Sequence, residues 1–206
     1  MGVLPQQLAA GLRDRLGLAR AIETGTYRGA GTRRLARIFP RVITIEISEG
    51  LAAAAREALA DVSGVDVRQG SSRDLLRAVV DASQPTLYWL DGHWSGGVTG
   101  GEEDECPVLA ELDAIAAGHG DDVVLIDDAR LFLAPPPPPH DASQWPNMGE
   151  LVDAIGRSKP GHEVLVAHDI VVAVPSGARD LAAAFAHAPA PKGEPLLRRA
   201  LARLRG

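Results

Sequence analysis

Short runs of β-branched and other apolar residues alternate along this chain with runs rich in Ala, Leu and Arg. This alternation predicts a parallel sheet whose crossover helices cover both faces. The predicted strands are 19–23, 42–47, 65–68, 86–90 and 122–127, followed by an antiparallel pair at 162–168 and 170–175. The predicted helices are 32–39, 49–59, 74–80, 107–117 and 147–157. We therefore expect an α/β fold with a Rossmann-like, doubly wound and mostly parallel sheet that a C-terminal antiparallel strand pair closes.

The length and the charge of the chain narrow its class. Its 206 residues are enough for one buried core, so we expect a single domain over 1–206. The formal charge of −6 argues against nucleic acid or an anionic membrane surface as a partner. No apolar run approaches membrane-spanning length. Arg13, Asp14 and Arg15 lie where a signal peptide would need a continuous apolar run, so we expect no signal peptide. With Cys106 as its single cysteine, the protein is expected in the cytoplasm.

The first predicted strand runs into a glycine-rich turn over 23–31, and a helix follows directly. A doubly wound sheet binds its nucleotide at this position. The spacing G-x-x-x-G-x-G differs from the dinucleotide fingerprint G-x-G-x-x-G, which argues against NAD. Glu46 lies about twenty residues beyond Gly25, where an acidic residue accepts the hydroxyls of an adenosine ribose. Glu23 would repel a pyrophosphate but would pair with the ammonium group of S-adenosylmethionine, so we expect a nucleoside cofactor.

Three aspartates follow two predicted strands: Asp91 ends the fourth, and Asp127 and Asp128 end the fifth. Neighbouring strands lie about 4.8 Å apart, so the carboxylates are expected near one point of the sheet edge. Such a cluster is costly without a cation, and oxygen ligands suit Mg²⁺, Ca²⁺ or Mn²⁺. Asp127 and Asp128 can share an ion only if the strand pleat breaks at Asp128. The alternative is that these aspartates cap helices or close turns.

Two long loops, 92–105 and 129–146, follow the strands that end in these aspartates, and loops of this length are usually functional. Each contains one histidine, His93 or His140. A histidine titrates near neutral pH and can take the proton of an attacking hydroxyl. Either histidine is therefore a candidate base.

Four other features of the loops and the tail can be interpreted from the sequence. The proline run 135–139 predicts a stiff arm and not a helix. Trp94 and Trp145 could form a wall for a ligand, although tryptophans in loops more often pack on their own domain. The acidic run 102–105 precedes a predicted helix and is interpreted as structural, because the helix dipole stabilises negative charge there. Arginines among leucines at 198–205 predict an amphipathic helix with a solvated face.

The sequence resembles the class I S-adenosylmethionine-dependent methyltransferases, in a branch related to the metal-dependent macrocin-type sugar O-methyltransferases. The blocks that carry this resemblance are 23–29, 44–48, 90–97 and 126–130, and the likeness extends over roughly 19–175. The arm 135–140, with Trp145 and Pro146, is further similar to the sugar 1-O-methyltransferases of methylmannose polysaccharide synthesis.

The resemblance implies roles for individual residues. Those implied around the methionine part of the cofactor are Glu23, Gly25, Thr26, Tyr27 and Gly29. Glu46 would hold the ribose, Ser71 or Ser72 would contact the adenine, and Ile47 and Asp91 would bind the cofactor as well. In the macrocin-type relatives, the aspartates that match Asp91, Asp127 and Asp128 bind Mg²⁺, and the first is also a proposed base.

Together these observations predict an O-methyltransferase that acts on a sugar hydroxyl with S-adenosylmethionine and Mg²⁺. The acceptor would be a small molecule or an oligosaccharide, such as a 3-O-methylated mannoside methylated at its 1-OH. His140, His93 or Asp91 would take the proton. The loops must select the substrate because the sheet uses most of the chain, and a homodimer could add a second subunit to the site. Two alternatives stay open: an NAD-dependent oxidoreductase, and a non-catalytic binding module that keeps the cofactor fold.

Overall fold

One sheet of seven strands forms the centre of the computed structural model, which describes residues 3–96 and 99–189. The strands are β1 (Arg20–Thr24), β2 (Val42–Glu46), β3 (Val65–Gln69), β4 (Thr86–Leu90), β5 (Val123–Ile126), β6 (Glu163–Ala167) and β7 (Ile170–Val174). Their order is β3-β2-β1-β4-β5-β7-β6, in which β7 is antiparallel to both neighbours and the other neighbouring pairs are parallel. The predicted mostly parallel sheet with its antiparallel pair is confirmed.

From β1 the chain runs outward through β2 to β3, and it then crosses back to β4 on the other side of β1 and continues to β5. The carboxyl ends of β1 and β4 therefore border the crevice where sheets of this topology bind their ligands. Strands β1, β4, β5 and β7 are buried at every position, as strands in the centre of a sheet covered on both faces should be.

Helices cover both faces of the sheet and form two hydrophobic layers with it. The described helices are α1 (Gln6–Leu16), α2 (Ala30–Ala36), α3 (Glu49–Ala58), α4 (Ser72–Leu75), α5 (Val108–Ile115), α6 (Arg130–Leu133), α7 (Met148–Ser158) and α8 (Arg179–His187). Successive strand residues point to opposite faces, so Tyr88 packs in the same layer as Ile155, whereas Leu87 packs in the layer of Leu12. Asn147 caps α7 through a reciprocal capping box with Glu150.

The helices differ from the sequence-based prediction in three places. Helices α1 and α8 were not predicted, although both pack on the layer that contains Leu12 and Ala182. Helix α6 was also missed, because four residues are too few to show helical periodicity. The basic helix predicted around 198–205 lies outside the described residues. Within 3–96 and 99–189, no helix is long and apolar enough to cross a membrane.

Candidate active site

The glycine-rich turn after β1 is shaped by close contact with the end of β4. Gly25 has φ of 82°, and a Cβ atom on this residue would lie 2.0 Å from the carbonyl oxygen of Asp91. Only glycine fits there, since any side chain would collide with backbone. Tyr27, at φ 50°, also adopts the left-handed conformation that non-glycine residues rarely take. Gly29 completes the turn as the N-cap residue of α2.

Glu46, the last residue of β2, is buried beside this turn. Its carboxylate accepts hydrogen bonds from the Tyr27 amide at 2.7 Å and the Ser48 amide at 2.9 Å. A carboxylate offers about four acceptor sites, so two remain for the hydroxyls of a ribose. Glu46 therefore orders the turn and keeps the capacity that the sequence-based prediction requires of it.

Glu23 lies beneath the turn, where it is almost completely buried. The hydroxyls of Thr32 and Thr44 donate to its Oε2 at 2.5 and 2.8 Å, and the Thr26 hydroxyl bonds to that of Thr44. Burial raises the pKa of Glu23 to about 7, although both hydroxyl bonds oppose the rise. In this position Glu23 supports the turn, and its pairing with a cofactor ammonium stays a prediction.

Three further residues predicted to bind the cofactor follow strands β2 and β3. Ile47 is exposed, and Gly100 packs against it so closely that a Cβ atom would lie 2.8 Å from Ile47 Cγ2. Ser71 precedes α4 as its N-cap residue, and Ser72 begins the helix in a buried position. One apolar side chain and two hydroxyl residues therefore lie near the carboxyl ends of β2 and β3.

The three predicted aspartates follow β4 and β5 at the same edge of the sheet. Asp127 is completely buried, and Asp128 has φ of 55°, so the pleat does break at Asp128 as the prediction required. Burial raises the pKa of Asp91 well above its ordinary value. The negative charges of Asp127, Asp128 and Glu23 raise it further, while His93 opposes them. The carboxylates are thus close enough to interact strongly.

His93 lies inside this aspartate cluster. Its Nε2 is 3.0 Å from Asp128 Oδ2 and 3.9 Å from Asp91 Oδ1. Burial lowers the pKa of His93, but the hydrogen bond to Asp128 and the surrounding negative charges outweigh burial and raise it overall. His93 is therefore held more readily as an imidazolium than an ordinary histidine.

A second cation holds the other oxygen of Asp128. Arg130 Nη1 lies 2.5 Å from Asp128 Oδ1 and also contacts Asp169, in the turn between β6 and β7. The Arg130 amide donates to the Asp169 carboxylate at 2.9 Å. Although burial raises the pKa of Asp128, the bonds to His93 and Arg130 lower it below its ordinary value. Asp128 is thus an ionised carboxylate between two protein cations.

This arrangement does not fit the predicted magnesium site. Mg²⁺ requires a near-octahedral set of oxygen ligands. Here His93 and Arg130 already hold both oxygens of Asp128. In the part of the chain that the structure describes, no three His, Cys, Asp or Glu side chains are arranged to hold a metal ion. The aspartates meet as predicted, but side chains of the protein supply the positive charge.

His140, the other candidate base, is anchored by Glu105. Its Nδ1 is 3.1 Å from Glu105 Oε2, and its ring meets those of Trp94 and Trp145 edge-on at 5.4 and 5.3 Å. Trp145 also packs against His93, with 5.5 Å between ring centroids. Both tryptophans are buried, as tryptophans that pack on their own domain are, and Trp145 links the two candidate bases.

Sequence reasoning missed three residues of this region. Glu105 looked equivalent to its acidic neighbours, and only its contact with an arm 35 residues later distinguishes it. Arg130 lies only two positions beyond Asp128 in the sequence, and this short spacing could have indicated that the two side chains pair. Glu111 of α5 is buried beside Gly92, and burial raises its pKa. Nothing in the helical pattern around Glu111 indicated that it would face this edge.

No protein-family model matches the sequence, and neither does any curated protein. Solved structures match the fold. TomG, an O-methyltransferase from Streptomyces achromogenes involved in tomaymycin synthesis and solved with S-adenosylmethionine, is 20% identical, with coverage of 83% of this chain and 79% of that one and a TM-score of 0.55. An O-methyltransferase from Bacillus cereus, solved with S-adenosylhomocysteine, is 20% identical over 84% and 82%, with a TM-score of 0.54. The Podospora anserina methyltransferase PaMTH1, with the same ligand, is 18% identical over 82% and 76%, with a TM-score of 0.53. The chain therefore has the class I methyltransferase fold.

Proposed function

We propose that this protein is an S-adenosylmethionine-dependent O-methyltransferase that acts on a sugar hydroxyl. The observation that carries the proposal is the crevice between β1 and β4, where Gly25 approaches the backbone of Asp91 and Glu46 orders the intervening turn. The proteins compared above hold S-adenosylmethionine or its product on the same fold. An excess of carboxylates at this edge further suits a cofactor that carries a sulfonium and an ammonium group.

In this proposal, the glycine turn and Asp91 surround the methionine part of the cofactor. Glu46 accepts the ribose hydroxyls, while Ile47 and the Ser71–Ser72 pair contact the adenine. Glu23 is buried under the turn, so it acts on the ammonium group through the field of its charge or through the threonine hydroxyls that it orders. The two long loops that contain His93 and His140 follow β4 and β5 at the same edge, so they would hold the acceptor beside the cofactor.

The reaction is an in-line displacement at the methyl carbon. The acceptor oxygen forms a bond to this carbon as the carbon–sulfur bond breaks, and the bonding electron pair stays on sulfur as a neutral thioether. Positioning of the two reactants supplies much of the rate, because the sulfonium is already a good leaving group. The protein must still remove the proton of the acceptor hydroxyl.

His140 is the proposed base among the three predicted candidates. Its Nδ1 is engaged by Glu105, which leaves Nε2 as the nitrogen that can accept a proton. His93 is instead held by Asp128 and Asp91, with a raised pKa that favours its cationic form. Burial also raises the pKa of Asp91, which favours its protonated form. We assign these two residues to the electrostatics of the cofactor site.

The proposal extends to the acceptor, the metal and the assembly. The resemblance of the arm around Trp145 favours a mannoside, methylated at the 1-OH when its 3-OH already carries a methyl group. The magnesium predicted from the sequence has no part in the steps above, because the cationic side chains of His93 and Arg130 already pair with the two oxygens of Asp128. A homodimer and a cytoplasmic location stay predictions.

Ligand binding followed by turnover tests the proposal. S-adenosylhomocysteine at 100 times its dissociation constant is expected to stabilise the folded protein by about 2.7 kcal/mol, seen as a rise in melting temperature. NAD(H) should give no rise, whereas the opposite result would favour an oxidoreductase. Methyl transfer to 3-O-methylated mannosides is then measured with and without EDTA. Cofactor binding without transfer to any mannoside would contradict the sugar assignment, and activity lost in EDTA but restored by Mg²⁺ would reinstate the metal.

A further inference from the structure

A single buried carboxylate joins the two long loops of the site. Glu105, in the first loop, is 2% exposed, and its two oxygens accept three hydrogen bonds from the second loop. Oε2 accepts from Trp145 Nε1 at 2.7 Å and bonds to His140 Nδ1 at 3.1 Å. Oε1 accepts from the Asp141 amide at 2.9 Å. The contact therefore spans 35 to 40 residues of chain.

The backbone of Glu105 takes part in the same junction. Its amide donates to Gln144 Oε1 at 2.9 Å, and its carbonyl accepts from the Trp94 amide at 2.7 Å. The rings of Trp94 and Trp145 enclose the His140 ring on two further sides. Both the position and the orientation of the His140 imidazole are thus determined by Glu105 and the residues that it binds.

The charge state of Glu105 decides which nitrogen of His140 carries the proton. Although burial raises the pKa of Glu105, its bonds to Trp145, Asp141 and His140 lower it overall, so the carboxylate is ionised at neutral pH. An ionised carboxylate accepts hydrogen bonds but donates none. His140 must then carry its proton on Nδ1, which leaves the lone pair of Nε2 free.

We propose that Glu105 is a positioning residue that holds His140 as its Nδ1–H tautomer, with Nε2 directed to receive the proton of the acceptor hydroxyl. This role rests on the proposed function. During methyl transfer the hydroxyl proton moves to Nε2, and the resulting imidazolium keeps its Nδ1–H bond to the Glu105 carboxylate. The carboxylate stabilises that cation without taking its proton, and Nε2 later returns the proton to solvent.

The tautomer can be measured directly by NMR on protein labelled with ¹⁵N-histidine. The six histidines are distinguished by the signal that disappears in H140Q. At a pH where the ring is neutral, we expect His140 of the unmodified protein to carry its proton on Nδ1, and Glu105→Gln to lose this preference. Glu103→Gln is the matched control, because Glu103 is exposed in the same acidic run. An Nε2–H tautomer in the unmodified protein overturns the proposal.

Kinetics supply the second measurement. Glu105→Gln is expected to lower kcat on the order of 10- to 100-fold, which is part of the roughly 10²- to 10⁴-fold that a general base contributes, while the acceptor KM and S-adenosylhomocysteine affinity change less than about threefold. Glu103→Gln should leave all three values unchanged. An unaltered kcat in Glu105→Gln overturns the positioning role even if methyl transfer is confirmed. If Glu105→Gln does not fold, the tautomer of the unmodified protein still decides whether Glu105 positions the His140 ring. If no methyl transfer is found, the catalytic part of the proposal falls with the proposed function, whereas the tautomer tests the positioning by itself.

Discussion

Two clusters of buried charge flank strand β5, and they differ in how completely they are neutralised. At the amino end, Asp122 accepts from the Thr86 amide at 2.9 Å and from Lys159 Nζ at 2.8 Å, and both side chains of this ion pair are buried. At the carboxyl end, Asp91, Asp127 and Asp128 meet two cations that both bind Asp128. The first cluster is a matched pair with both carboxylate oxygens bonded. The second keeps an excess of negative charge.

We interpret the first cluster as structural and, under the proposed function, the second as part of the binding site. The buried ion pair between Asp122 and Lys159 links the start of β5 to the end of α7, and removal of either partner would leave the other charge buried without compensation. Carboxylates that raise one another's pKa are costly, and they cluster where a protein binds or transforms something. An incoming sulfonium and ammonium would offset the excess at the carboxyl end. The two clusters should therefore respond to substitution in opposite ways.

The largest expected effect is at the amino end. Lys159→Met keeps the aliphatic stem but leaves Asp122 buried without its cation, so the free energy of unfolding should fall by about 3 to 5 kcal/mol. The measurement is urea denaturation. Arg77→Met, which removes an exposed ion pair with Asp113, is the control and should change stability by less than about 0.5 kcal/mol. A loss of less than about 1 kcal/mol for Lys159→Met, which is the range of an exposed ion pair, would show that the amino-end pair is not structural.

Glu23, which is buried near the carboxyl end of β1, should make the stability of the folded protein depend on pH. Its pKa is about 7 in the folded protein against 4.5 as the ordinary value, so the folded state binds more protons between these limits. The stability from this shift is complete below pH 4.5 and lost as pH rises through 7, on the order of 3 kcal/mol. Glu23→Gln removes this loss. The free energies of unfolding of the two proteins, measured from pH 5 to 8, should therefore diverge as the pH rises. The same pH dependence in both proteins would refute the raised pKa of Glu23.

The close approach of Gly25 to the backbone of Asp91 predicts the next effect. Gly25→Ala places a methyl group against the Asp91 carbonyl and forces alanine to φ 82°, so we expect a loss of about 2 kcal/mol and of S-adenosylhomocysteine binding. Gly50→Ala is the control, since no atom lies within 4 Å of its added Cβ and it is inside helix α3. That change should stabilise by about 0.5 to 1 kcal/mol. Ligand affinity that survives Gly25→Ala would place the cofactor elsewhere.

Asp91→Asn should change stability least and function clearly. The neutral amide resembles the protonated form of Asp91 that burial and the neighbouring carboxylates favour, so the free energy of unfolding should stay the same or rise by less than about 1 kcal/mol. Because Asp91 borders the proposed cofactor site, kcat/KM should fall at least about tenfold, or 1.4 kcal/mol. Urea denaturation and methyl transfer measure the two effects. A destabilisation as large as that of Lys159→Met would mean that both clusters are structural.

The sequence predicted the strands of the sheet more completely than the helices that pack on it. Continuous apolar strands such as 86–90 are recognisable from local pattern, and each predicted strand is present in the structure. Helix α1 was missed because polar residues and Gly11 interrupt its apolar positions, Leu8 and Leu12, which are buried only through tertiary packing. Helix α8 was missed in the same way, since its apolar side packs against α1.

At the site, the sequence predicted which residues meet but not how their charges are shared. Glu46, Gly25 and the aspartates could be located because strand ends lie at one edge of a parallel sheet. The bond between Glu105 and His140 joins two loops whose paths depend on the whole fold, and local pattern carries no information about it. The cation at Asp128 was expected to be a metal, whereas the structure brings His93 and Arg130 there.

The turn between β6 and β7 has a consequence for protein engineering. A two-residue hairpin turn is ordinarily a good place to insert a tag, a loop or a new chain terminus. Here His168 and Asp169 both have positive φ without a glycine, and each is tied elsewhere: His168 to the Phe185 carbonyl and Asp169 to Arg130. An insertion at this turn would release Arg130, and with it Asp128. Fusions and circular permutants should therefore be cut at other surface loops.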